Sequence, residues 1–139
     1  MKTICDDLSF EDCGVKITED TASIWQILNH MIYWQDFHLS LCKRKNVSFP
    51  RHSSDTWVFE ARPETAGEWE EAVQDFKRKL DEIEIFTEQM LAGSDQNHTA
   101  DSFIADTMAL INHNSYHAGQ IVHIRKVINA WTHSKGDTW

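Results

Sequence analysis

The sequence predicts an all-α protein that folds as one helical bundle. Its 139 residues suffice for one domain and are too few for two of ordinary size. Three long segments carry apolar residues at the spacing of an α-helix, and only five Gly and two Pro are present to interrupt them. Little of the sequence shows the alternation of apolar and polar residues that is typical of a half-buried strand.

Composition and charge exclude several classes of protein. Apolar residues make up 41% of the chain, which argues against intrinsic disorder. The net charge of −9 disfavours binding to a nucleic-acid backbone, which needs clustered Lys and Arg. Asp6 and Asp7 interrupt the stretch where a signal peptide would be apolar, and no window approaches the roughly 18 apolar residues of a membrane span. We therefore expect a cytoplasmic protein that binds neither nucleic acid nor membranes.

The first long helix is predicted at about residues 20–43. Thr18, Asp20 and Thr21 can cap its start with their side-chain oxygens. Its apolar residues recur at helical spacing and predict one buried side. They are Ile24, Ile27, Leu28, Met31, Trp34, Phe37 and Leu41.

A polar connection from Arg44 to Pro63 follows this helix. Pro50 and several serines predict an irregular backbone. Trp57, Val58 and Phe59 are apolar and are expected to hold the connection against the bundle. Connections of this length are often functional, so the segment is a candidate part of a binding site.

The second helix is predicted at residues 66–92. Thr65 and Glu68 match the capping box, in which a hydroxyl and a carboxylate satisfy two free backbone amides. Asp75 and Lys79 predict an ion pair one turn apart on the outside, where the remaining acidic residues are expected to be solvated. One apolar stripe predicts the buried side: Trp69, Val73, Phe76, Leu80, Ile83 and Met90.

The third helix is predicted at residues 100–132, with Lys135 and Gly136 as its stop signal. It is apolar on two sides, and such a helix needs neighbours on both. We expect either a central position in the bundle or a bundle face opposite a subunit interface. One side comprises Leu110, Ile121, Ile124 and Ile128, and the other Ile104, Met108, Ile111, Ala118 and Val122.

Three of the eight histidines are candidate metal ligands. His113 and His117 are four residues apart in the third helix, so at about 100° per residue they point in nearly the same direction. His30 lies on the apolar stripe of the first helix. Three imidazoles with an open position form a catalytic type of metal site, whereas the alternative is a set of hydrogen-bonded core histidines without metal. The other five are expected to be exposed or to cap helices: His38, His52, His98, His123 and His133.

Cys5, Cys13 and Cys42 are odd in number and form no C-x-x-C pair. Free thiols in a reducing compartment are the expected state. The alternative is a reactive or metal-bound cysteine, for which Cys42 near a helix end is the best candidate.

Two segments of the chain resemble the DinB/YfiT-like superfamily. One is SIWQILNHMIYWQ, which contains His30, and the other is HNSYHAGQI, which begins at His113 and contains His117. The resemblance extends over residues 8–131 and implies an antiparallel four-helix bundle with one long crossover loop. It also implies a divalent metal ion, most often nickel or zinc, held by three histidines. Carried over to this sequence, the ligands are His30, His113 and His117.

The resemblance departs from the family pattern at the N-terminus. Family members begin with a full helix, of which only residues 3–8 remain here, with Ile4 and Leu8 as the inward side chains. Three helices do not easily close a bundle core. Either a partner chain covers the core, or the sequence starts at an internal methionine. We expect a homodimer.

The family resemblance implies two kinds of activity on small molecules. Some members are S-transferases that use a low-molecular-weight thiol such as bacillithiol or mycothiol, and others are metal-dependent hydrolases or isomerases. A three-histidine metal site suits both, because it can stabilise a thiolate or lower the pKa of water. Asp106 and Gln120 lie on the same side of the third helix as the histidine pair and are candidates to orient a ligand histidine. Two alternatives stay open: a stress-related bundle that binds metal or ligand without catalysis, and a structural dimer without metal.

Overall fold

The structure, a computed structural model, describes residues 1–93 and 100–131. Helices are the only regular elements in these two ranges, so the predicted all-α class is confirmed. Three long helices are accompanied by a four-residue helix and a short 3₁₀ helix. In chain order the elements are α1 (Phe10–Cys13), α2 (Ile24–Cys42), the 3₁₀ helix (Ser53–Thr56), α3 (Ala66–Leu91) and α4 (Ala100–Val127).

Helix α2 is the centre of the bundle. It packs against both α3 and α4, whereas α3 and α4 touch each other little. Fully buried side chains of α2 meet aromatic residues of α3 and aliphatic residues of α4, and this contact forms the main core. The central members of the core are Ile24, Ile27, Leu28, Met31, Trp69, Phe76, Ile121 and Ile124.

Helix α2 begins at Ile24, four residues after the predicted start. Ser23 forms the N-cap, since its hydroxyl accepts from the Gln26 backbone N–H at 3.2 Å and the Gln26 side chain accepts from the Ser23 N–H at 3.1 Å. Thr18 and Thr21 bond to each other in the preceding turn instead of capping the helix.

The long connection is fastened to the first turn of α2 by polar contacts. The Ser23 hydroxyl donates to the Ala61 carbonyl at 2.5 Å, and the Gln26 amide donates to the Phe59 carbonyl at 3.0 Å. Trp57 packs against the main core, as predicted. The prediction for Phe59 was wrong, because its side chain is 93% exposed and only its backbone holds the connection in place.

Helix α3 follows its predicted bounds to within one residue. The Thr65 hydroxyl accepts from the Glu68 N–H at 3.2 Å as expected, but the Glu68 carboxylate accepts from the Glu64 N–H at 2.7 Å rather than from that of Thr65. The predicted pair of Asp75 and Lys79 is confirmed, at 2.6 Å. Of the apolar stripe, Trp69, Val73, Phe76 and Ile83 are buried, and Leu80 and Met90 are half-buried.

Helix α4 ends at Val127, five residues before the predicted end. Asn129 has a left-handed backbone with φ of 57°, which terminates the helix in a Schellman motif. The Ala130 N–H donates to the Arg125 carbonyl at 2.8 Å, and the Asn129 N–H donates to that of Lys126 at 3.3 Å. Thr132 and the predicted stop signal at Lys135 and Gly136 lie outside the described residues.

The N-terminal segment is packed against the bundle without forming a long helix. Residues 3–8 form successive turns rather than a helix, and Ile4 and Leu8 are buried as expected. The segment joins the two outer helices: the Arg125 guanidinium donates to the Ile4 carbonyl at 2.6 Å, and the Trp69 indole donates to the Leu8 carbonyl at 3.2 Å. The four-residue helix α1 then follows.

One of the two apolar sides of α4 is packed within this chain, and the other is packed only in part. Leu110, Ile121 and Ile124 are buried. Ile104, Met108 and Ile111 on the other side are 47%, 52% and 49% exposed. Ala118 of the second side packs against the main core, so only the N-terminal half of this side lacks a neighbour among the described residues.

No helix in the described parts of the chain is long and apolar enough to cross a membrane. Cys5, Cys13 and Cys42 are free thiols, as predicted, and all three are buried. Burial raises the pKa of the Cys42 thiol to about 11, which makes a reactive thiolate at this position unfavourable.

Candidate metal centre

Three histidine side chains converge between α2 and α4. His30 projects from α2, and His113 and His117 project from successive turns of α4. One ring nitrogen of each lies within 4.8 Å of the others. His30 and His117 are buried and His113 is half-buried, so the group lies at the edge of the core rather than on the open surface. Among the described residues, this group can hold a metal ion.

The outward nitrogen of His30 is held by the long connection. Its Nδ1 lies 2.9 Å from the Thr56 hydroxyl and 3.2 Å from the Thr56 carbonyl. The same hydroxyl donates its proton to the Ser53 carbonyl at 2.7 Å, so both oxygens of Thr56 act as acceptors toward the ring. The proton of His30 therefore belongs on Nδ1, and the lone pair of Nε2 points to the other histidines.

Gln120 plays the same part for His117. Its side-chain oxygen lies 2.6 Å from Nδ1 of His117, and its amide nitrogen donates to the Tyr116 hydroxyl at 3.3 Å. Because an amide oxygen only accepts, the His117 proton belongs on Nδ1. Nε2 is then unprotonated, as a metal ligand must be.

The inward nitrogens are spaced as a divalent ion requires. Nε2 of His30 and Nε2 of His113 are 3.0 Å apart. Zinc–nitrogen bonds of about 2.0–2.1 Å place two tetrahedral ligand nitrogens about 3.3 Å apart. Without a metal, the Nε2–H of His113 donates to the unprotonated Nε2 of His30, and a bound cation would take the place of that proton. The residues present therefore fit a divalent metal ion.

The electrostatics keep the three rings neutral. Burial lowers the pKa of His30 to about 4, against the opposing effect of the Thr56 carbonyl. Burial also lowers the pKa of His113 and of His117. Neutral imidazole is the ligating form. At neutral pH these rings are therefore not protonated to imidazolium, and no such proton has to be lost before a metal binds.

Two tryptophans surround the histidines. The Trp57 ring is stacked on His30 with centroids 3.9 Å apart and planes 9° from parallel. Trp34 presents its ring at an angle, 6.4 Å from His30 and 6.0 Å from His113. The sequence predicted that Trp57 packs on the bundle, but neither Trp57 nor Thr56 was identified as a neighbour of the candidate ligands.

The prediction for His38 was wrong. This residue is 4% exposed, and its Nε2 lies 3.5 Å from the Thr107 hydroxyl of α4. His38 lies at the edge of the apolar stripe on α2, and α4 covers that edge. His52 and His123 are exposed as predicted, whereas His98 and His133 lie outside the described residues.

Asp106 is placed apart from the candidate ligands. It is exposed and makes no hydrogen bond to them among the described contacts. Its negative charge acts on His38, where it raises the pKa against the stronger lowering effect of burial. Of the two predicted candidates for orienting a ligand histidine, Gln120 is bonded to His117, and Thr56, which was not a candidate, is bonded to His30.

A cavity of about 290 Å³ lies beside the three histidines, and we call it the aromatic cavity. His113 belongs both to its wall and to the histidine group. Helices α2 and α4 and the start of the long connection provide the lining. The lining residues are Trp34, Phe37, His38, Leu41, Phe49, Asp106, Ala109, Leu110 and His113.

The chain is similar to a known protein family. The DinB family matches residues 1–132, a range that includes all three histidines and every helix described above. No curated protein and no solved structure matches the chain.

Proposed function

The chain belongs to the DinB family, and on this premise we propose that it is a metal-dependent enzyme that acts on a small molecule. The observation that carries the proposal is the convergence of His30, His113 and His117 beside a cavity. Thiol S-transfer and hydrolysis are the two reaction classes that suit such a site. The metal is proposed to be nickel or zinc, since imidazole ligands do not choose sharply between them.

The contribution of the protein is to hold and orient the ligands. When bound, the ion would supply a Lewis acid with an open position, which can stabilise a thiolate or lower the pKa of water. Thr56 and Gln120 set the tautomers of His30 and His117, so that both present an unprotonated Nε2. Trp57 restricts the His30 ring by stacking on it. The aromatic cavity offers the substrate a site that is partly shielded from water.

Metal analysis of purified and reconstituted protein tests the proposal. We expect about one equivalent of zinc or nickel in the wild type and less than about a tenth of an equivalent in His30→Ala or His113→Ala. His123→Ala is the matched control, because His123 is exposed on the same helix, and it should bind like the wild type. If the wild type takes up no metal on reconstitution, a structural role for the buried histidines is favoured instead.

A screen of thiol conjugation and of ester or amide hydrolysis then separates an enzyme from a binding protein. Activity that requires the metal and is lost in His113→Ala supports the proposed enzyme. Full metal occupancy without turnover would favour the alternative, a bundle that binds metal or ligand without catalysis.

We also propose that the chain forms a homodimer through the unpacked side of α4. Ile104, Met108 and Ile111 follow helical spacing and are about half exposed. Next to them, a groove of about 700 Å³ lies between α3, α4 and the first residues of the chain. A second copy covering this side would supply the neighbour that the doubly apolar α4 lacks.

A further inference from the structure

We infer that the aromatic cavity binds a small molecule with an apolar body and no negative charge. This inference deepens the proposed function by naming a class of substrate, and for the reaction it rests on that function. The binding itself depends on the cavity walls and can be measured without a metal.

The walls of the cavity suit an aromatic or branched aliphatic group. Trp34, Phe37 and Leu41 come from α2, and Phe49 comes from the long connection. The rings of Phe37 and Phe49 are 4.7 Å apart, and those of Trp34 and Phe37 are 5.4 Å apart, so the three rings form one continuous apolar surface. A volume of about 290 Å³ is at the lower end for ligand sites and fits a group of about one ring.

The position of the cavity directs one end of a ligand to the histidines. His113 lines the cavity, and its Nε2 lies 3.0 Å from Nε2 of His30. Trp34 contributes to the same corner, at 6.0 Å from the His113 ring. A ligand whose apolar body fills the cavity therefore has its polar end at the candidate metal centre.

The charge of the lining excludes an acidic ligand body. Among the described lining residues there is no Lys or Arg, and the carboxylate of Asp106 lies at the exposed rim. An anionic group in the part of the cavity away from the candidate metal centre would lose water without gaining a cationic partner, and it would be repelled by Asp106. The whole chain, at −9, adds to this repulsion. Thiols that carry several carboxylates are thus poor candidates, whereas neutral and cationic molecules are suitable.

Calorimetric titration with two thiols tests the inference on the zinc-loaded protein. We expect benzyl mercaptan to bind at least about tenfold more tightly than mercaptosuccinate, which has two carboxylates. Asp106→Asn should narrow this difference by strengthening the binding of mercaptosuccinate. Equal affinities for the two thiols in the wild type would overturn the inference.

A matched pair of phenylalanine variants locates the binding. Phe49 is 72% exposed and Phe59 is 93% exposed on the same connection, so neither substitution removes a core residue. Phe49→Ser should weaken the binding of benzyl mercaptan about fivefold, whereas Phe59→Ser should leave it unchanged. Unchanged binding in Phe49→Ser would overturn the assignment of the cavity.

The metal-free protein separates failure of the cavity from failure of the metal site. Benzyl alcohol is titrated into metal-free wild type, Phe49→Ser and Phe59→Ser, and binding is followed by chemical-shift changes of side-chain signals. Binding that depends on Phe49 supports the cavity, even if zinc does not bind and the proposed enzyme fails. If zinc binds at the histidines but neither benzyl compound shows binding that depends on Phe49, the proposal that the aromatic cavity is a binding site is overturned. The proposed metal site is then unaffected.

Discussion

Trp57 lies flat on the imidazole of His30, with ring centroids 3.9 Å apart and planes 9° from parallel. Its neighbour Thr56 accepts from the outward nitrogen of the same ring. Two consecutive residues of the long connection thus define both the plane of His30 and its tautomer. The connection between α2 and α3 is therefore part of the candidate metal centre, although it contributes no ligand.

Removing the stacked ring is expected to weaken metal binding. Trp57→Ala should lower zinc affinity about tenfold, because His30 can then rotate away from the ligating orientation. Competition with a chromophoric chelator measures the affinity. Phe59→Ala, two residues along the same connection and almost fully exposed, should retain wild-type affinity. Wild-type affinity in Trp57→Ala would mean that the stack only fills space.

Zinc affinity is expected to depend on the hydrogen-bond acceptor that Gln120 offers to His117. Gln120→Ala removes the oxygen 2.6 Å from Nδ1 and is expected to weaken zinc binding by about 10- to 100-fold. Gln120→Glu keeps an acceptor at the same place and should restore most of the affinity. Asp106→Asn is expected to have no effect on zinc binding, because Asp106 contacts none of the ligands among the described residues. Equal affinities in all three variants would contradict the assignment of Gln120.

Acid is expected to destabilise the metal-free protein. The pKa of His30 falls from 6.5 to about 4 on folding, and burial also lowers the pKa of His38. Between pH 6.5 and pH 4 these histidines are protonated in the unfolded chain but stay neutral in the folded chain. The free energy of unfolding therefore decreases as the pH falls from about 6.5 toward 4. Asp75, whose pKa is also lowered in the folded state, loses its contribution only as the pH falls below its ordinary value of 3.8.

Urea unfolding at pH 7 and pH 5 measures this dependence. His38→Asn removes one of the buried titrating rings. The difference in the free energy of unfolding between pH 7 and pH 5 should therefore be smaller in this variant than in the wild type. His123→Asn changes an exposed histidine of α4 and should keep the wild-type change. An equal loss of stability in the wild type and in His38→Asn would show that His38 does not contribute.

The oligomeric state tests the unpacked side of α4. Light scattering after gel filtration is expected to show a dimer at micromolar concentration. Met108→Glu places a charge on the half-exposed side and should yield a monomer, whereas Phe59→Glu should remain dimeric. A monomeric wild type would contradict the proposal.

The local pattern of the sequence determined which residues can reach the candidate metal centre. Helical spacing is a property of the backbone, so residues four apart, such as His113 and His117, lie on one side of α4 whatever surrounds them. The apolar stripe of α2 likewise determined that His30 is directed toward the bundle, because burying that stripe drives the packing. The cap at Thr65 follows from an equally local signal, whereas the inward placement of Ile4 and Leu8 was expected from the family resemblance.

Tertiary packing decided the remaining features. His38 is at the edge of a stripe, and only the position of α4 makes it buried. The placement of Thr56 and Trp57 at His30 depends on the path of an irregular connection, which no periodic pattern encodes. The aromatic cavity depends on the same path, because Phe49 reaches Phe37 only after the chain has turned back over α2. Periodic spacing therefore determines the direction of a helical side chain, whereas its neighbours are determined only when the elements have packed together.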